Sequence, residues 1–273
     1  MYHFVFAIGI CLLWFSSAFA QSSSTLIGAR SGGVGYASAC LHDEWSLFNN
    51  IGGLAKVIRV SSAFAYDAQP SFKPFNRMAA VVAVPVKFGV GGLGFFRFGD
   101  QLYNEQIICL GFGNTFGLAS LGVKVNYIQY NAHGFGTKGL FSISFGGIAK
   151  LTEKISIGAH VINLNQPDIS NTDEEKLPTL LILGVGFQLT SQTFITTELE
   201  KDLRFPLRWK AGISYQPFKK FIFRSGFHVQ PNAAFFGFGF HPSKYKLDYA
   251  YQHSFTSGSR HQATVGYFLN RTK

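Results

Sequence analysis

Apolar residues alternate with small or polar ones along most of this chain. Between residues 207 and 216, Leu207, Trp209, Ala211, Ile213 and Tyr215 form one series, and Arg208, Lys210, Gly212, Ser214 and Gln216 form the other. A strand turns successive side chains to opposite faces, so such a segment has one apolar face and one polar or narrow face. Alternation and turn residues together predict strands near Val57–Tyr66, Arg77–Pro85, Lys87–Phe98, Tyr103–Gly113, Gly117–Tyr130, Lys138–Lys150 and Lys154–Asn163. The series continues near Thr179–Thr190, Gln192–Lys201, Leu207–Gln216, Lys220–Gln230, Ala233–Phe240, Tyr245–Phe255 and Gln262–Asn270. That is about 14 strands, an even number within the range of single-chain outer-membrane barrels.

The connections add an independent sign. Even-numbered ones are tight, around Val86, Asn114–Phe116, Leu151–Glu153, Ser191, Pro217–Lys219 and His241–Lys244. Several odd-numbered ones are longer: Asp67–Asn76, Asn131–Thr137 and above all Leu164–Pro178. Short turns at one end and long loops at the other separate periplasm from exterior in such barrels, and a β-sandwich has no reason for that parity. The expected fold class is therefore all-β, a transmembrane antiparallel β-barrel of about 14 strands in the cell outer membrane. Both termini then belong to the periplasmic, short-turn side. The stretch Asn171-Thr172-Asp173-Glu174-Glu175 belongs outside the cell.

The beginning of the chain fits that location. Phe4 to Phe15 is apolar and Ala18-Phe19-Ala20 precedes Gln21, so residues 1–20 read as a cleaved signal peptide. Ile10 before Cys11 stands where lipid attachment requires a small residue, which argues against a lipoprotein. The most apolar later stretch, Met78 to Phe96, is broken by Pro85, Lys87 and glycines and makes a poor spanning helix. Residues 21–56 are assigned to a lumenal plug and 57–273 to the barrel.

Composition sharpens the picture. The chain has 30 Phe, 11 Tyr and 30 Gly with 14% charged residues, against about 25% in ordinary soluble proteins. The net charge is +10, but Lys and Arg are dispersed, with no basic cluster longer than Lys219-Lys220. Secretion and dispersal argue against nucleic acid; outer-membrane lipid and lipopolysaccharide are the expected counter-charges. Cys40 and Cys109 form neither a metal spacing nor a disulfide framework and read as buried thiols. Gly122, Gly184, Gly186, Gly212, Gly226 and Gly266 alternate with bulky neighbours. If the bulky set meets lipid, these glycines face the lumen and make room for something inside it.

Residues 28–55 break the alternation. Gly28-Ala29-Arg30 and Gly32-Gly33-Val34-Gly35 lead into Asp43-Glu44-Trp45-Ser46-Leu47-Phe48-Asn49-Asn50 and Gly53-Leu54-Ala55. Leu41, Trp45 and Phe48 share a helical face, which predicts a short amphipathic helix. These elements resemble the N-terminal signature of the FadL-type superfamily, most closely its PorV/PorQ branch, with Ile51-Gly52 in place of a Pro-Ala pair. The resemblance implies a barrel with an N-terminal plug, here centred on Arg30, Asp43, Glu44, Trp45, Asn50, Gly53 and Leu54. In the FadL branch it implies passage of hydrophobic molecules with sideways exit through a kinked third strand. In the PorV/PorQ branch it implies service to a type IX protein-secretion machine.

Gly89-Val90-Gly91-Gly92-Leu93-Gly94 satisfies the dinucleotide fingerprint in letters, but Phe95-Phe96-Arg97-Phe98 continues as strand and supplies no helix N-terminus for a pyrophosphate. Gly89, Gly91, Gly92 and Gly94 are expected instead to kink the third strand and open the wall, as the family's lateral exit does. His42-Asp43-Glu44 are adjacent, do not share a helical face and make a poor metal set; contacts to lumenal Arg or Lys are expected. No Ser-His-Asp order, nucleophile elbow or paired-carboxylate motif stands out, so neither enzymatic activity nor a cofactor or metal is expected. The leading expectation is passive transport of small hydrophobic molecules with lateral exit. The alternative is a non-transporting partner of a secretion or surface-assembly complex.

Overall fold

The computed structural model describes residues 24–169, 176–202 and 205–269. The expected signal peptide and the acidic stretch of the longest loop lie outside them. Fourteen antiparallel strands form one closed barrel, each paired with its neighbours in sequence. They are β1 Ser61–Ala68, β2 Arg77–Val86, β3 Gly89–Gly99, β4 Tyr103–Phe116 and β5 Ala119–Ala132. Next come β6 Gly136–Lys150, β7 Ile155–Ile162, β8 Leu180–Gln188, β9 Thr193–Asp202 and β10 Arg208–Phe218. The last are β11 Phe221–Val229, β12 Ala233–Phe240, β13 Tyr245–Ser254 and β14 Gly258–Phe268. Pairing of β1 with β14, from Ser61 opposite Phe268 to Ala68 opposite His261, closes the ring.

The alternation sorts the side chains as expected. Phe64, Leu93, Leu110, Val123, Leu183 and Phe236 are among a belt of exposed apolar residues on the outer face. Their neighbours in sequence point inward and are buried or partly buried. Among the described residues no helix is long and apolar enough to cross a membrane.

The N-terminal segment differs in detail from the expectation. Residues 41–48 make one 3-10 turn, Glu44–Leu47, rather than an amphipathic helix, and a second 3-10 stretch spans Ile51–Lys56. The backbone N–H of Asp43 donates to Ser46 Oγ (3.1 Å) and Asn50 Oδ1 accepts from the N–H of Gly52 (3.1 Å). These side chains substitute for the bonds a longer helix would make. A short helix, α1 (Ala29–Gly33), forms where two glycines gave no helical sign. Strand β1 starts at Ser61 rather than Val57, because the Val57 N–H closes the second 3-10 stretch onto the Leu54 carbonyl (3.0 Å).

Candidate functional site: the occupied lumen

The segment from Ser24 to Val57 runs inside the barrel. Its α1 contacts β11 to β14, and the Ile51–Lys56 stretch contacts β3 to β7. Wall glycines create the space. A Cβ added to Gly226 would stand 2.5 Å from the Gly35 nitrogen, and one on Gly122 would stand 2.6 Å from the Ile51 oxygen. One on Gly184 would lie 2.7 Å from the Ala39 Cβ, and one on Gly212 would meet Val34. The glycines that alternate along these strands thus admit the chain's own backbone. Gly266 is looser, with only ordinary contacts to Lys246 and Glu44.

Wall side chains then satisfy the segment's backbone groups, as buried polar groups require. Glu198 Oε2 accepts from the N–H groups of Ser38 (2.8 Å) and Ala39 (2.7 Å). Its Oε1 accepts from Lys210 Nζ (2.7 Å), which also reaches Glu200 Oε2 (2.6 Å). Thr196 donates to the Ala37 carbonyl (3.0 Å), and Thr264 Oγ1 accepts from the Ala29 N–H (2.9 Å). All these wall groups are buried. In the sequence they read only as the polar parity of a strand. Their one visible sign was that Glu198, Glu200 and Asp202 share a face.

The residues expected to form the plug all lie in this segment, in differing roles. Arg30 pairs with Asp43 (3.0 Å), a bond within the segment, and Glu44 accepts from Lys246 of the wall (3.0 Å). Trp45 lies against Gly28 and beside Phe48, with ring centroids 6.2 Å apart. Asn50 donates to the carbonyls of Ala39 (2.6 Å) and Gly147 (3.1 Å), joining two parts of the segment to β6. Gly53 leaves no space for a side chain, since its Cβ would stand 2.5 Å from the Leu41 oxygen and from Ser46 Oγ. Leu54 is fully buried beside Gly92.

The expected wall opening at Gly89, Gly91, Gly92 and Gly94 is absent. β2 pairs through Val86–Gly89, Val84–Gly91, Ala83–Gly92 and Val81–Gly94 without a break. On the other edge, β4 pairs continuously from Gly113 opposite Val90 to Cys109 opposite Gly94. Gly92 and Gly94 face inward to accommodate Leu47, Leu54 and Phe48, while Gly91 has open space around it. Their small size serves the lumenal segment, not a gap. Regular pairing lapses elsewhere. β7 pairs with β6 only from Lys150 up to Phe145, leaving the rest of β6 without a regular ladder on that side. There the side chain of Asn165 replaces a strand, accepting from the Ile143 N–H (2.9 Å) and donating to the Phe141 carbonyl (2.9 Å).

The two ends of the described chain also lie at opposite mouths, not on one side as expected. Phe268 ends β14 at the short-turn mouth, whereas Ser24 sits at the long-loop mouth, its carbonyl accepting from Arg77 Nη1 (2.8 Å). Arg77 is in turn held by Asp67, with Nε donating to Oδ2 at 3.0 Å. Asp67 in turn accepts from Arg260 (3.4 Å) and Gln262 (3.1 Å).

Among the described residues, several spaces remain around the segment. A chamber of about 540 Å³ opens at the loop mouth, with Arg77, Tyr103, Lys210 and Arg260 in its wall. A smaller inner cavity of about 60 Å³ is lined by Phe48, Ile107, Ile128, Ile162, Leu177 and Ile182 together with the polar Lys124, Asn126, Asn163, Glu200 and Asp202. Ser24, Leu26 and Arg208 line both and so form the partition between them. A polar vestibule of about 380 Å³ lies at the short-turn mouth, where Arg224 pairs with Asp248 (2.7 Å). Among the described residues no His, Cys, Asp and Glu group has metal-binding geometry, and both cysteines are free and buried.

The molecule is thus a closed β-barrel whose lumen is filled by its own N-terminal segment. Solved structures share this architecture. The toluene transporter TbuX of Ralstonia pickettii superposes with a TM-score of 0.70 at 12% identity, over 90% of this chain and 100% of that one. The toluene transporter TodX of P. putida gives 0.66 at 12% identity, over 92% and 100%. The monoaromatic hydrocarbon channel CymD gives 0.65 at 12%, over 92% and 100%. At such identity the likeness is one of fold, and it matches the 14-stranded barrel expected of a FadL-type chain. No family model and no curated protein matches the sequence. The PorV/PorQ branch gains no support from these comparisons.

Proposed function

We propose that this chain is an outer-membrane barrel that passes small hydrophobic molecules, with its lumenal segment as the plug. The observation that carries this reading is the mainly apolar inner cavity between plug and wall, which shares Ser24, Leu26 and Arg208 with the loop-side chamber. The shared fold with hydrocarbon channels agrees with it. A benzene-sized guest needs a cavity on the order of 150 Å³, so at about 60 Å³ the inner cavity is closed to one. Passage therefore requires the Ser24–Leu26 stretch to shift. Exit follows the interrupted β6–β7 seam, where Ile162 and Asn163 line the cavity and Ser142 Oγ donates to Asn163 Oδ1 (2.5 Å).

The test is flux of toluene into liposomes carrying the folded barrel, with and without a disulfide engineered by Ser142→Cys and Asn163→Cys. Transport predicts flux above protein-free vesicles. It also predicts a fall of about tenfold or more when the bridge forms, reversed by reductant. Flux equal to that of empty vesicles refutes transport. Undiminished flux with the bridge verified by mass refutes the seam as the exit.

A further inference from the structure

Basic residues that are scattered in the sequence meet on one rim of the fold. At the short-turn mouth Lys87 lies in the β2–β3 turn, Lys150 and Lys154 flank the β6–β7 turn, and Lys219 and Lys220 form the β10–β11 turn. Lys244 occupies the β12–β13 turn, and Lys56 and Arg59 stand on the approach to β1. All eight are exposed, and Glu153 is the one exposed acid at that end among the described residues. The buried acids there are engaged, Glu44 by Lys246 and Asp248 by Arg224 and His241.

Each of these positions also carries an exposed apolar side chain. Ile58, at 79% exposure, precedes Arg59, and Phe88, at 71%, follows Lys87. Leu151 lies between Lys150 and Lys154, Phe218 precedes Lys219, and Tyr245 follows Lys244. Lys87 Nζ lies 5.3 Å from the Phe88 ring centroid. An apolar group beside a cation, repeated at four of the six short turns and on the approach to β1 at the edge of an apolar belt, matches the boundary between acyl chains and headgroups. A soluble protein partner would instead require one compact patch.

We propose that this rim is a binding ring for anionic glycerophospholipids, the lysines taking the phosphates and the flanking apolar side chains taking the upper acyl chains. The ring rests on the membrane-barrel reading above. It adds a lipid class and a leaflet, that of the short-turn side. The sequence-level expectation of general lipid and lipopolysaccharide counter-charge specified neither.

The experiment is native mass spectrometry of the folded barrel in neutral detergent, with equal amounts of phosphatidylglycerol and phosphatidylcholine of the same acyl chains. Each surface cation near an anionic headgroup favours binding about fivefold, so phosphatidylglycerol adducts should dominate at about 50 mM salt and recede at about 500 mM. The variant K87Q/K150Q/K219Q/K244Q, still heat-modifiable on gels, should keep a clearly smaller preference for phosphatidylglycerol than the unaltered barrel, since four of the eight cations remain. Equal adducts on the unaltered barrel, or an undiminished preference in the variant, would overturn the ring and leave the rim to a protein partner. A chain that folds with neither lipid nor detergent overturns the membrane-barrel reading together with the ring.

Discussion

Glu198 is a wall residue that holds the lumenal segment directly. Its carboxylate accepts two backbone N–H groups of the segment through one oxygen and Lys210 through the other. Hydrogen bonds to a charged acceptor contribute about 1.5–3 kcal/mol each, and breaking a buried ion pair from one side costs about 3–5 kcal/mol. Glu198→Gln keeps the shape and an oxygen for the backbone but removes the charge. Its expected local cost is about 3 kcal/mol, equivalent to on the order of a hundredfold in opening of the segment. Hydrogen exchange read by mass spectrometry on the detergent-solubilised barrel checks this. The amides of Ser38 and Ala39 should exchange on the order of a hundredfold faster while the strands keep their protection. Adding Lys210→Met, which removes the orphaned cation, should recover part of the loss if the two residues act as a pair. Unchanged exchange at Ser38 and Ala39 would refute the clamp. Uniform loosening of all strands would show Glu198 to be a general barrel residue.

Other substitutions separate wall from plug. Gly91→Val should leave both folding and toluene flux unchanged, because open space surrounds Gly91. A loss of flux would restore the opening in β3. Gly94→Val should destabilise the barrel by about 1–3 kcal/mol, since its Cβ would meet Cys109 Sγ and Phe48 Cζ at 2.7 Å; an unchanged thermal midpoint on gels would contradict this. Burial pushes the Cys40 thiol up to about 11, so it should resist maleimide at pH 8 in the folded barrel and label on unfolding. Rapid labelling of the folded protein would show that the lumen opens at Cys40.

The strands were legible because each has one face toward lipid and one toward the interior, which imposes a period of two on the sequence. The six alternating glycines correctly announced a narrow inner face. Their letters could not say whether that space held a passenger or the chain's own backbone, and contacts to Val34, Ala39 and Ile51 decide for the latter. The same ambiguity misled at Gly89–Gly94, where small residues read as a break in the ladder; the ladder is continuous, and Gly92 and Gly94 are seats for Leu47, Leu54 and Phe48. The segment itself was recognisable by motif but not by local physics. α1 contains Gly32 and Gly33 and spans 5 residues, so it has little helical tendency without the wall around it. Paired charges such as Lys210 with Glu198 and Glu200 were hidden for a related reason. Their partners sit on adjacent strands, and pairing across strands is set by register rather than by spacing along the chain.

The clamp on the lumenal segment also fixes an order of events during biogenesis. Ala29 bonds to Thr264, 235 positions later, and Ser38 to Glu198, 160 positions later. Segments made first thus wait for partners made last, and contacts of such separation form late and slowly. Wall glycines of β5, β7, β10, β11 and β12 press against the backbone of this segment, so a sheet that sealed first would leave no route by which to thread it. The seam between β1 and β14 must close with residues 24–57 already laid in place. The segment made first is thus enclosed as the barrel closes and takes its folded shape only from the wall that surrounds it.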